Sequence, residues 1–326
     1  MPTLLTTSKM SPALRARVEA SVRGRKTSTG RPRPGRLRAA SRVVLVLAIL
    51  GTVTAVAAAE RQLRRDRETA RAALLEAARA ERASLTEDDL KSVERASGWL
   101  SRLATTDEPD HVAADVRSPN GLQTLLARSA VYVRGPLGSF KSAAGIAEAA
   151  SESSKDALLS CLFEPPASRA EKVVLAKVKE AYPGTWQLDQ LTANVQNFGV
   201  AKVGLPLLSP HWTDSVTADT DVHEIEALQT RLKKAPLARA RQALKAEVLI
   251  AVMDDTDSGT GPTELDGARA HDVRFAMVDL RSSSVIVRLK RHVDPSWISL
   301  PLRPQHASKL DSCVLAMDIR EAIARR

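Results

Sequence analysis

The sequence predicts an α+β protein with a single N-terminal transmembrane helix and helical stalk. A mostly helical half follows, then a small, largely antiparallel sheet and a C-terminal helix. Three observations predict this. Positive charge is concentrated before residue 43, one uninterrupted apolar run comes next, and helical periodicities precede alternating strand patterns in the rest. An apolar share of 44% excludes a wholly disordered chain. Two cysteines in 326 residues exclude a disulfide-dense mini-protein and a multi-cysteine zinc scaffold.

Residues 1–42 hold eleven basic side chains against one acid, Glu19. Of the 48 basic and 38 acidic residues in the chain, that leaves 37 of each beyond residue 42, so the tail carries the whole net charge. Rich in Arg, Ser, Thr, Pro and Gly, it reads as a disordered cytoplasmic tail that contacts anionic lipid. Its Gly30-Arg31-Pro32 core resembles AT-hook peptides, which place Arg in a narrow minor groove. A membrane-tethered DNA-binding protein is therefore an alternative. No aromatics interleave these charges, which argues against stacking on single strands.

Val43–Ala59 contains only Thr52 and Thr54 as polar side chains, flanked by Arg42 and Arg61. Seventeen residues at helical rise reach roughly 25 Å, the short end of a bilayer core. The expectation is a retained signal-anchor in a bacterial inner membrane, with cleavage after Ala59 as the competing reading. Eight Lys/Arg in the twenty residues before the run, against six after it, place the tail inside and the main domain outside.

Neither Gly nor Pro occurs from Thr52 to Ser97, so the helix continues as a stalk over 60–85. Leu63, Ala70, Leu74 and Ala77 fit a coiled-coil seam, but Arg67 and Glu81 fall on it. A solvated spacer with weak self-association fits that pattern. All ten aromatics lie between Trp99 and Trp297, which starts the extracytoplasmic α+β domain near residue 86. It divides into a helical part, 86–220, and a sheet-containing part, 221–326.

Within that domain, acids at 87–89 follow Thr86 at a helix start, and Leu90, Val93, Ala96, Leu100 and Leu103 recur at helical spacing. A turn-rich connector, a short helix at 121–129 and a short strand at Ala130–Arg134 come next. One helix is expected over roughly 142–163, stopped by Pro165–Pro166. Another opens at Ser168 with Glu171 and ends before Pro183. Residues 186–220 are ambiguous, and two further helices run from Asp221 to Lys234 and from Pro236 to Ala246. Val248–Met253 is fully apolar and reads as a central strand. Asp272–Leu280 and Val285–Val293 read as a hairpin, and a helix from about 307 closes the chain.

The sharpest motif is Gly135–Ser142, GPLGSFKS. It matches a phosphate-binding loop at Gly135, Lys141 and Ser142 but has Phe140 where the second Gly belongs. With the acidic cluster Asp254–Asp257 it supports an alternative, an enzyme acting on phosphate esters or nucleotides. Asp255 and Asp257 are the candidate metal ligands, although Gly259 and Asp266 miss the calcium-loop pattern. The histidines show no paired ligand spacing and no Ser lies in G-x-S-x-G. No catalytic residue and no cofactor is therefore assigned. Cys161 and Cys313 both fall on core-facing stripes, and an oxidising compartment would pair them as a disulfide. The leading expectation is a single-pass binding or scaffolding module at the cell envelope. Its partners would be the lipid bilayer and another envelope protein.

Overall fold

The computed structural model describes residues 36–181, 185–217, 220–255 and 270–325, with side chains from Leu47 onward except at 180–181 and 185–186. The tail motif at Gly30–Pro32 lies outside the described residues, as do Asp257, Gly259 and Asp266. The chain divides into two units, Met1–Arg65 and Asp66–Arg326.

Helix α1 (Arg36–Arg82) is 47 residues long. Its two apolar-run threonines bond back to their own helix, Thr52 Oγ1 donating to the Ile49 carbonyl at 2.8 Å and Thr54 Oγ1 to the Leu50 carbonyl at 2.9 Å. Among the described residues, however, no helix is long and apolar enough to cross a membrane. The apolar run Val43–Ala59 reaches roughly 25 Å against the roughly 30 Å of a bilayer core. Glu60, Arg61, Arg64 and Arg65 follow it at once. This corrects the expected transmembrane helix at 43–59. The single-pass signal-anchor, the cytoplasmic tail with extracytoplasmic domain, and the membrane-anchored function built on them fall with it.

The second unit is mixed α/β, which corrects the expected segregation of a helical half from an antiparallel sheet. Six strands, β1 (His111–Val112), β2 (Ala130–Pro136), β3 (Val195–Asn197), β4 (Val248–Asp255), β5 (His271–Asp279) and β6 (Ser284–Val293), form one sheet ordered β1-β6-β5-β4-β2-β3. β2 is parallel to both β3 and β4, whereas β4–β5, β5–β6 and β1–β6 are antiparallel. A strand from the helical half thus lies inside the sheet. The residues of β2 explain why: Val131 and Val133 enter one core, Ala130 and Tyr132 the other. A strand apolar on both faces needs cover on both, as parallel strands do.

Helices supply that cover. In chain order they are α2 (Glu87–Leu90), α3 (Ser92–Thr105), α4 (Gly121–Leu126), α5 (Ala143–Glu152), α6 (Ala157–Phe163) and α7 (Glu171–Ala181). After them come α8 (Thr185–Leu191), α9 (Phe198–Leu208), α10 (Pro210–Ser215), α11 (Val222–Lys234), α12 (Leu237–Leu244) and α13 (Arg303–Arg325). α3, α5, α9, α11 and α12 pack on one sheet face, and α4, α6, α7 and α13 on the other. Leu74 and Ala78 of α1 are buried in the first of these cores. That portion of the expected solvated spacer is therefore part of the fold.

Local signals set the element ends. Thr86 and Asp89 form a reciprocal capping box at α2. The helix expected over 142–163 is two helices, because Ser153 to Lys155 leave the helical path and the Asp156 carboxylate caps the second. In the β5–β6 hairpin the Asp279 carboxylate accepts the Arg281 and Ser282 backbone N–H groups at 2.8 and 2.7 Å. Ser283 beside them takes a left-handed φ of 54°.

Candidate binding site

β2 and β4 run parallel and end together, with Pro136 opposite Asp254. That end of an open α/β sheet is where ligands commonly bind. Here it holds a buried charged network centred on Arg134. The guanidinium grips Asp254 through Nε and Nη2, both at 3.1 Å, and reaches Asp156 Oδ2 at 2.9 Å and Ser312 Oγ at 2.7 Å through Nη1. Tyr132 donates its hydroxyl to the same Asp156 oxygen at 2.9 Å, and His271 Nε2 lies 3.3 Å from Asp254 Oδ1.

Burial alone would push the Asp254 carboxyl up, but Arg134 and His271 outweigh it and hold the group below the usual carboxylate range. Burial likewise opposes charge on Arg134, yet Asp254 and Asp156 keep it firmly protonated. Burial, reinforced by Asp156, drives the Tyr132 phenol well above its ordinary value. Next to Ser312, Asp311 is pushed up to about 6 by burial, although the Trp297 indole N–H donates to it at 2.8 Å. Each side-chain nitrogen of Arg134 is engaged, and Ser312 accepts a hydrogen bond from a cation instead of facing a base. The network is a closed lock between strand ends, α6 and α13.

The residues singled out from sequence fall in three places. Gly135 lies within β2, where an added Cβ would sit 2.9 Å from Ala149 Cβ. Phe140 is fully buried in the core, Lys141 is exposed, and Ser142 Oγ caps α5 by accepting the Gly145 N–H at 3.1 Å. Asp255 pairs with Arg274, Nη2 to Oδ2 at 3.4 Å. Among the described residues no group of three or more His, Cys, Asp or Glu side chains could hold a metal ion. Cys161 and Cys313 are joined, their Cα atoms 5.2 Å apart, between α6 and α13. Sequence reasoning did not single out Tyr132, Arg134, Asp156 or Ser312. The one available signal was an Arg directly following the apolar AVYV of a strand.

A second feature is open. Between α3 and the β4–β6 face lies a small cleft of about 20 Å³, open to solvent on one side. Leu103, Ala251, Met253 and Ala276 contribute apolar lining, Arg274, Arg288 and Lys290 contribute cations, and Asp107 and Glu108 stand at its border. The register explains the cationic wall: Arg274 is paired with Lys290 and Ala276 with Arg288, so the three charges share one sheet face. Arg274 Nη1 donates to the Thr106 carbonyl at 2.7 Å, while its buried Nε has no partner among the described residues. Compared with known proteins, the chain matches no family model, no curated protein and no solved structure.

Proposed function

We propose that the 66–326 unit is a recognition module whose α3–sheet cleft binds a ligand carrying a carboxylate beside a small apolar group. The observation that carries this reading is the cleft itself. Its apolar lining is bordered by three cations on one sheet face, one of which keeps a buried N–H without an acceptor among the described residues. Such a lining excludes water from the ligand's apolar part while a guanidinium orients its anion. The Arg134 network supports recognition over chemistry, because its donors and acceptors satisfy one another and leave no group poised to react.

Benzoate and benzamide test the reading, since they differ little in shape and differ in charge. With the full chain at constant pH and ionic strength, benzoate should raise the melting temperature saturably in the millimolar range and benzamide should not. Arg274→Met should abolish the response with circular dichroism unchanged. Equal responses to the two compounds, or a benzoate response that survives in Arg274→Met, would overturn it.

A further inference from the structure

The outer edge of β6 is covered in an unusual way. β6 is ten residues long, yet β1 pairs with it only at Val287 and Arg288, with Ala113 N–H donating to the Ile286 carbonyl at 2.8 Å. Beyond that point the edge meets the segment Thr106–Asp110, which joins α3 to β1. This strap makes side-chain contacts where a strand would make main-chain ones. The Lys290 backbone N–H donates to Asp110 Oδ1 at 2.9 Å, so a carboxylate stands where a neighbouring carbonyl would be. Arg291 Nη1 reaches the other Asp110 oxygen at 2.8 Å, Arg288 pairs with Glu108, and Arg288 Nε donates to the Pro109 carbonyl at 3.1 Å. Arg274 holds the Thr106 carbonyl and lies 3.8 Å from Asp107. Arg274, Arg288 and Arg291 are each matched to an acid or a carbonyl of one extended segment, whereas the Lys290 side chain pairs with Asp272 of β5.

We propose that the outer edge of β6 receives an extended acidic peptide segment of a partner protein, and that Thr106–Asp110 occupies its place in cis. This rests on the reading of the cleft and its cationic wall as a binding site, and names the ligand class. An incoming segment adds as a strand, exchanging main-chain hydrogen bonds with β6 while its carboxylates take over Arg288, Arg291 and Arg274. A bare strand edge also invites non-specific pairing, which charged cover prevents. The strap can be displaced because its outer ion pairs are solvated: the Asp107 side chain is 76% exposed and that of Glu108 39%. Being tethered, it competes at high effective concentration, so only a partner offering more contacts than its few residues opens the edge.

The probe is a fluorescein-labelled peptide copying residues 104–113, with a control in which its three acids are replaced by amides. Fluorescence anisotropy compares the intact chain with Asp107→Asn/Glu108→Gln/Asp110→Asn, whose strap can no longer compete. The variant should bind the acidic peptide at least tenfold tighter than the intact chain, ignore the control peptide, and lose the gain when Arg288→Gln is added. Should the triple variant fail to fold, hydrogen exchange on the intact chain gives the same answer. Saturating acidic peptide should then slow exchange at 289–293 and quicken it at 106–110. Unchanged affinity in a folded variant, equal binding of the control, or unchanged exchange overturns the proposal. A benzoate response without any peptide effect would leave the cleft reading standing and remove this one; loss of both would remove both.

Discussion

Arg134 is the residue on which most buried charge depends, since Asp156 and Asp254 have side chains only 2% and 7% exposed and both are neutralised by it. Removing it leaves two buried carboxylates facing each other's field. Arg134→Met should cost about 3–5 kcal/mol in urea melts at pH 7. Arg134→Lys should recover only part of that, because an ammonium cannot reproduce the two-pronged grip on Asp254. Asp311 predicts a pH effect of the opposite kind. Its folded pKa of about 6 exceeds the usual 3.8, so the folded state holds the extra proton and stability falls as pH rises from about 4 to 6. Asp254, held low, contributes stability above the unfolded value and loses it on acidification. Asp311→Asn keeps an acceptor for Trp297 and removes the buried charge. It should be more stable than the parent by about 1–2 kcal/mol above pH 6, with the difference gone near pH 4. Equal stability at both pH values would refute the assignment. Of this network the sequence drew attention only to Asp254, and as part of an acidic cluster instead of as a partner of Arg134. Asp156, Asp254 and Ser312 lie far apart in the chain, and the parallel β2–β4 pairing together with the packing of α6 and α13 brings them to one guanidinium.

At the scale of elements, one packing contact and one turn are each sharply constrained. α9 crosses α12 at Gly204, where an added Cβ would fall 2.2 Å from Ala240 Cβ. Neither helix can yield without lifting Phe198, Leu207 or Leu244 from the core, so Gly204→Ala should lose about 1–3 kcal/mol despite alanine's better helix propensity. The loss would appear as a lower melting temperature; a neutral or stabilising effect would mean the helices are less closely packed. The hairpin turn runs the other way. Ser283 occupies a left-handed conformation that glycine adopts freely, and Ser283→Gly should raise stability by about 0.5–1 kcal/mol. These elements also show what local pattern can reveal. Val248–Met253 and the hairpin were visible because unbroken apolarity and alternation are properties of consecutive residues. β3 was not visible, since three residues carry no period. The interior place of β2 was hidden too, because its partner β4 lies more than a hundred residues downstream.

The whole second unit is tied together at one stretch of α13. Asp311 accepts from Trp297, Ser312 accepts from Arg134, and Cys313 is bonded to Cys161, three consecutive residues reaching three different parts of the fold. The sheet therefore gains its last helix through the contacts that also hold α6 to the strand ends. Both cysteines are fully buried, and 152 residues separate them. Cross-linking so long a loop restricts the unfolded chain strongly, so the bond should contribute about 2–5 kcal/mol. The loop also encloses β3, β4, β5 and β6, whose long-range pairings are the slow part of folding. A Cys161→Ala/Cys313→Ala variant should unfold at lower urea by that amount and refold more slowly than the oxidised parent. Reductant should bring the parent down toward the variant and leave the variant unchanged. If the oxidised parent and the variant had the same midpoint and the same refolding rate, the hydrogen bonds from Arg134 and Trp297 and the apolar packing would be holding α13 in place without help from the disulfide.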